Sequence, residues 1–329
     1  MKSVDSIVRR VTLRELRLLA AIARSGSILR AAQEVGLTQP AVSKSLADLE
    51  ETLGVRLFDR NNRGVEPTPH GRVFIRRALA VFDELRHGVD ELNFLTDSTG
   101  GEIRVGATPT MCGGFLSHTV AAMELERPGV RYTLVELESE RLAAEVSARF
   151  IDIGIGREPL ARSEDEMSFG RLFDDPLYVV AGAQHPLARR RRITPAELAG
   201  QRWVLPTPEA PVSQQLRVAF ARQGASMPAS IVATMSVLVR YGLLSTNRFL
   251  TVLYGSMLQF GTMPSNLRLL PVELSARVPI GFYKLKGRTL SPATEVFVQS
   301  MKKFAMPMHT ISVDLLQRTL RNRSAMSRK

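Results

Sequence analysis

One cysteine, Cys112, stands among the 329 residues, so no disulfide can close within the chain and the composition fits a reducing compartment. No stretch approaches the roughly 18 uncharged apolar residues of a membrane span. Near the N-terminus Ile7-Val8 runs into Arg9-Arg10, without the apolar core and cleavage site of a signal peptide. The expectation is a soluble, cytoplasmic protein with no membrane partner. The five histidines are scattered, and His-Glu-x-x-His, paired cysteines, a Walker phosphate loop and a Gly-x-Ser-x-Gly elbow are all missing. Asp174-Asp175 is an acid pair, but neighbours in a strand point to opposite faces. The sequence therefore predicts neither catalysis nor a resident metal or cofactor.

Acidic residues are also in short supply: 32 against 44 Lys and Arg, a net charge of +12. The excess is local. Residues 1–77 hold 14 basic and 8 acidic side chains, residues 278–329 hold 10 and 2, and the stretch between them is close to neutral. A basic N-terminal module is the footprint of phosphate contact, although the same balance can serve solubility alone.

Residues 27–54 supply what charge cannot. Ala31 and Ala32 are small where two helices must cross closely, and Gly36 marks a tight turn. Leu37, Val42 and Leu46 form an apolar face, and Thr38-Gln39-Pro40 gives a hydroxyl N-cap with a proline in the first turn. That spacing predicts a helix-turn-helix whose second helix runs to about Leu53 and ends at Gly54, displaying Thr38, Gln39, Pro40, Ser43 and Lys44 to bases and phosphates. Arg30 is a candidate phosphate clamp. An earlier helix is expected from Thr12 to Arg24, opened by a Thr12/Glu15 capping box. Val55 to Thr68 reads as a hairpin wing with Arg60, Asn61, Asn62 and Arg63 at its tip; a solvated turn is the alternative. From Thr68 to about Leu95 one helix face carries Ile75, Leu79, Phe82, Val89 and Leu92, the period of a dimerising seam, with packing on the chain's own domain as the alternative.

The residues Ala31-Ala32, Thr38 to Ser43, Leu49-Glu50, Leu53-Gly54, Leu57-Phe58, Arg60, Thr68 and Gly71 resemble the N-terminal signature of the LysR-type transcriptional regulators. The resemblance implies an α-helical winged helix-turn-helix domain with a linker helix, then a two-lobed α/β domain like that of periplasmic binding proteins. It places the DNA-binding domain at 1–68, the linker and dimerisation helix at 69–96, the effector-binding domain at 97–306 and a basic C-terminal extension at 307–329. It also implies a homodimer or a homotetramer built as a dimer of dimers and a small-molecule effector; a dimerising linker helix predicts double-stranded DNA with an inverted-repeat operator, and Arg189 to Arg192 make RNA polymerase a further candidate partner.

Beyond the polar linker 96–101, short apolar runs at Ile103–Ala107, Tyr132–Leu137, Ile151–Ile155, Tyr178–Ala181, Trp203–Leu205, Phe249–Leu253 and Ile280–Tyr283 alternate with amphipathic segments. This is the pattern of α/β lobes with mainly parallel sheets, where ligands bind at strand carboxyl ends and helix N-termini. Thr108 and Thr110 end the first strand. Gly154 and Gly156, in the strand Asp152–Gly156, would let a ligand approach the backbone, and Thr207, Glu209 and Ser236 are placed across the cleft. The hydroxyls favour an organic acid, whereas Glu209 in the cleft would favour a monosaccharide. The leading reading is a ligand-responsive transcriptional regulator. The alternatives are an architectural DNA-binding protein whose α/β domain only assembles subunits, and a solute-binding protein or enzyme with a basic extension. Cys112 as an oxidant sensor, Arg189 to Arg192 as a contact loop, and the C-terminal residues as a DNA tether are the sharper readings of features that are otherwise structural. For the last segment the expectation is a short helix at Ile311–Leu320 followed by a disordered end.

Overall fold

The computed structural model describes residues 3–61, 64–97, 99–158, 167–222, 224, 226–228, 230–261 and 263–326. The chain forms two units, Met1–Leu92 with Ser147–Arg149, and Asn93–Val146 with Phe150–Lys329.

The first unit opens with helices α1 (Val4–Val8), α2 (Leu13–Ser25), α3 (Ile28–Val35) and α4 (Gln39–Leu53). The capping box of α2 is present: Glu15 N donates to Thr12 Oγ1 at 3.3 Å, and Thr12 N to Glu15 Oε2 at 2.7 Å. Ser27 and Thr38 cap α3 and α4 through Arg30 N and Ala41 N. Gly36 closes α3 at φ +67°, a left-handed conformation that costs a side-chain-bearing residue most. Leu16, Leu18, Leu19, Ala21 and Ile22 of α2 meet Ala31, Ala32, Val42, Leu46 and Leu49 in one core, while Leu13 stays exposed.

The strands β1 (Phe58–Asn61) and β2 (Gly64–Pro67) make an antiparallel hairpin, followed by α5 (Pro69–Thr96). The signature residues Glu50, Thr68 and Gly71 tie this wing to the helices. Glu50 Oε1 accepts from Leu57 N at 2.6 Å and Phe58 N at 3.2 Å. Thr68 Oγ1 donates to the Arg56 carbonyl at 2.8 Å and accepts from Gly71 N at 2.9 Å. A Cβ on Gly71 would stand 1.9 Å from the Leu57 carbonyl oxygen, so only glycine fits that approach. Thr68→Val leaves both partners of the hydroxyl unmet and should cost this unit about 2 kcal/mol, read as a lower urea midpoint by far-ultraviolet circular dichroism.

The second unit contains β3 (Gly101–Ala107), α6 (Pro109–Met111), α7 (Ser117–Glu126), β4 (Val130–Glu136), α8 (Ser139–Ser147), β5 (Ile153–Arg157), β6 (Met167–Gly182), α9 (Pro195–Ala199), β7 (Trp203–Leu205), α10 (Pro211–Arg222), β8 (Ser230–Ala233), α11 (Val237–Leu244), β9 (Leu250–Tyr254), α12 (Gly255–Phe260), β10 (Leu267–Leu285), α13 (Pro292–Ala305) and α14 (Val313–Met326). The strands form one sheet in the order β4-β3-β5-β10-β6-β9-β7-β8. Lobe one carries the parallel strands β4, β3 and β5, and lobe two carries β9, β7 and β8, again parallel. The long antiparallel pair β6 and β10 runs through both lobes and joins them. Its pairing shifts register between Leu269 and Glu273, between Glu273 and Arg277, and between Ile280 and Gly281. Irregular pairing lets a strand bend as it passes from one lobe to the next.

Two expectations change here. Tyr178–Ala181 and Ile280–Tyr283 are short pieces of these long crossing strands, whose remaining length is interrupted by Asp174, Pro176, Pro271, Arg277 and Pro279 and so lacks an apolar run. The C-terminal segment, expected as an extension beyond the α/β domain, joins that domain; its expected helix is present as α14, and residues 327–329 lie outside the described residues. A 3-10 turn at Met306–Thr310 leads into α14, and Met308, Ile311 and Leu316 are buried in the core of the unit.

Candidate functional site

Helix α4 buries Val42, Leu46 and Leu49 and leaves Gln39, Pro40 and Lys44 exposed, with Ser43 half-buried. A 3.6-residue period forces this division: the residues that fix the helix to its own core cannot be those that meet an external partner. Thr38 spends its hydroxyl on the N-cap of α4, so it positions the helix. Arg30 on α3 and Arg60 on β1 are exposed; Arg63 and Asn62 lie outside the described residues.

The seam expected on α5 divides. Ile75 is buried in the helix-turn-helix core and Leu79 and Phe82 pack against it, so these three serve their own domain. Val89 and Leu92 are exposed, joined by Val81, Leu85 and Leu95. Both sets recur at spacings of three and four, and the sequence period could not say which face the core of the same chain would occupy.

In lobe one, Thr108 is buried at the carboxyl end of β3, where its N–H donates to the Ile155 carbonyl at 3.1 Å. Its hydroxyl lies 3.4 Å from that of Thr110. Gly154 and Gly156 do not open the backbone to a ligand as expected. A Cβ on Gly154 would meet Leu142 and Val146 of α8, and one on Gly156 would meet Leu142 and Thr108. These glycines make room for the chain's own helix. In lobe two, Thr207 is half-buried and its carbonyl takes Ala210 N and Ser213 Oγ at the start of α10. Ser236 is exposed and caps α11 through Val239 N at 3.3 Å, and Glu209 is exposed. The structure thus brings Thr108, Thr110 and Gly156 together and sets Thr207 and Ser236 at two helix starts of the other lobe.

Cys112 is half-buried at the end of α6, its Sγ 3.5 Å from the Ala107 carbonyl. Burial, with the Glu136 charge second, pushes its thiol up to about 11. A thiol so protonated at neutral pH is a poor nucleophile, which argues against oxidant sensing. Among the described residues no cluster of His, Cys, Asp or Glu could hold a metal ion, and no helix is long and apolar enough to cross a membrane.

Residues 96–305 match the family model of the LysR substrate binding domain, and residues 13–72 match that of the bacterial regulatory helix-turn-helix protein, lysR family. The chain belongs to the LysR family. It is a DNA-binding transcriptional regulator with an effector-binding domain. Among its relatives is the HTH-type transcriptional regulator GbpR of Azospirillum brasilense, 28% identical over 295 residues, 89% of this chain and 86% of that one. A full-length OxyR variant from Pseudomonas aeruginosa shares the fold with a TM-score of 0.65 at 20% identity, covering 88% of this chain and 97% of the other. CbnR complexed with its target DNA aligns at a TM-score of 0.52 and 18% identity over 90% of this chain and all of that one.

In this LysR-family chain two buried polar clusters escaped sequence reasoning. Asp152 accepts from Arg104 N at 2.8 Å and from the guanidinium groups of Arg104 and Arg288 at 2.5 and 2.7 Å. Asp175 accepts from Ser256 N at 2.9 Å and Ser256 Oγ at 2.5 Å, fixing the start of α12 to the crossing strand β6. Its neighbour Asp174 faces outward and pairs with Arg171, as strand alternation requires. The partners lie 48 to 136 residues apart in sequence, and no local pattern signals them.

Proposed function

We propose that this regulator reads an inverted-repeat operator with α4, dimerises through α5, and responds to a small organic acid held between the lobes of its α/β domain. The observation that carries the reading is the division of α4, with Val42, Leu46 and Leu49 inward and Gln39, Pro40 and Lys44 free to enter a major groove. Gln39 and Ser43 supply direct base contacts; Lys44, Arg30, Arg60 and Arg63 supply phosphate contacts. The exposed α5 stripe Val81, Leu85, Val89, Leu92 and Leu95 supports pairing of two copies, because a continuous apolar row of this length is costly in water. Two copies display two recognition helices related by a two-fold axis, hence the palindromic operator. A homotetramer built from two such dimers, contact with RNA polymerase and a cytoplasmic location belong to the same reading.

For the effector, an acid is favoured over a monosaccharide. Glu209, the residue that argued for a neutral sugar, is exposed, and two arginines, Arg157 of lobe one and Arg240 of lobe two, act on Tyr254 at the end of β9, with Asp175 opposing them.

Gln39→Ala should reduce discrimination between operator and random DNA by about 10- to 100-fold while nonspecific binding persists. Lys44→Ala should weaken all sequences alike and lower the slope of log K against log salt by about 1. Electrophoretic or fluorescence titrations on both DNAs at several salt concentrations measure this. Equal losses on specific and random DNA for Gln39→Ala would remove it from base reading.

A further inference from the structure

Arg240 of α11 is 3% exposed. Its Nη1 donates to the Val252 carbonyl at 3.2 Å and its Nη2 to the Met235 carbonyl at 3.3 Å, while Nε is buried with no partner. Removing a guanidinium from water is expensive, and buried arginines are ordinarily matched by a carboxylate. Arg288 shows the ordinary case in this same chain, fully buried against Asp152. Arg240 has no such counter-ion among the described residues. The groups that act on its charge are the phenols of Tyr254 and Tyr241. Burial pushes Tyr254 up to about 12 and also raises Tyr241, so both are neutral near pH 7 and leave the cation uncompensated.

The surroundings indicate what is missing. The two carbonyls that hold the guanidinium belong to Val252 at the middle of β9 and to the residue just before the Ser236 cap, so the head group folds back along α11 toward its N-terminal end. That end carries the positive pole of the helix dipole. Tyr254 ends β9 and is acted on by Arg240 from lobe two and by Arg157, which ends β5 in lobe one. Arg157 spends one Nη on the Ser139 hydroxyl at 3.2 Å. Charges from both lobes thus bear on one tyrosine at a strand carboxyl end, with the Asp175 carboxylate opposing the two arginines, and an open α/β sheet takes its ligand at such ends.

We propose that Arg240 is the anion anchor of the effector site: its unmet Nε–H and a second guanidinium N–H donate to a carboxylate of the effector. A paired, two-donor contact of this kind suits a planar carboxylate and gives the site a preference for acids over isosteric neutral molecules. This rests on the reading of the α/β domain as effector-binding, and it moves the anchoring role from the hydroxyls of Thr108 and Thr110 to a residue on the other lobe.

The test uses the full chain and two matched probe pairs, benzoate with benzamide and gluconate with glucose, each titrated to about 50 mM so that weak ligands register. Melting is followed by the fluorescence of Trp203, the single tryptophan, which is buried in the α/β unit. The expected result is a saturable rise in melting temperature with at least one acid and not with its neutral partner. In Arg240→Gln that rise should disappear, an affinity loss of about 30-fold or more. Arg240→Lys keeps the charge but loses the paired geometry, and should weaken the same acid by roughly tenfold. Unliganded melting of each variant establishes that it is folded; if Arg240→Gln is not, the Lys variant decides. Equal responses of wild type and folded variants overturn the proposal, whether the acid stabilises all of them or none. A neutral probe that stabilises wild type and variants alike leaves the effector-binding reading standing while removing Arg240 from it. Absence of any response in the wild type, together with operator binding that no probe alters, removes both.

Discussion

Replacing Asp152 by alanine should lower the unfolding free energy of the α/β domain by about 3–5 kcal/mol, enough to leave it marginal. The carboxylate serves two arginines at once. Arg104 gives it a backbone N–H and a guanidinium contact, and Arg288, whose side chain is wholly buried, gives it another at 2.7 Å. Arg288 also reaches the carbonyls of Ile151 and Asp152, so its position is fixed by the turn that the carboxylate terminates. Taking away the anion leaves a buried cation without its carboxylate, and removal of one member of a buried pair costs far more than the pair contributes to stability. Asn would keep the shape and one acceptor and should cost about half as much. Urea unfolding read by Trp203 fluorescence measures the loss, with the midpoint falling and the slope unchanged. A loss below about 1 kcal/mol for Asp152→Ala would mean that the arginines find water instead.

Acidification should stabilise the same domain through Asp175, against the usual trend for carboxylates. Burial raises this carboxyl to about 7, opposed in part by hydrogen bonds from Ser256 and Gly255 and by the Arg277 charge. An ordinary aspartate titrates near about 3.9. The folded state therefore holds the proton more tightly than the unfolded chain does. The contribution is fully present below about pH 4 and is lost as pH rises through about 7. Between pH 5 and pH 8 this group alone should remove about 2–3 kcal/mol. Asp175→Asn cannot titrate, and its amide can still accept from Ser256 N. The difference between its stability and that of the wild type should shrink or reverse at pH 8 and favour the wild type at pH 5. Urea titrations of both proteins at the two pH values, again through Trp203, give that double difference. A constant difference across the window would show that Asp175 is ionised in the folded state throughout.

Arg240 bears on the same energetics from the opposite sign. A buried charge without a counter-ion is a standing cost, which a bound anion would relieve. Asp152 and Asp175 spend their hydrogen-bonding capacity within the fold, whereas Arg240 keeps an N–H unspent.

The sequence determined the helix-turn-helix almost residue by residue, because its determinants are local: the Thr12/Glu15 box, the Ser27 and Thr38 caps, the Gly36 turn and the apolar faces of α2 and α4 all act within a few positions along the chain. Strand-and-helix alternation likewise determined the α/β class of the remainder. Tertiary structure alone decided which apolar face of α5 meets its own core, since Ile75 and Leu85 are equally hydrophobic and only one can point inward. It decided that Gly154 and Gly156 admit Leu142 and not a ligand, and that Met308, Ile311 and Leu316 carry the C-terminal segment into the core. It also decided which charged residues are paired. Asp152 with Arg288 and Asp175 with Ser256 are contacts across 136 and 81 positions, and the cost of burying a charge depends on where the rest of the chain comes to lie around it.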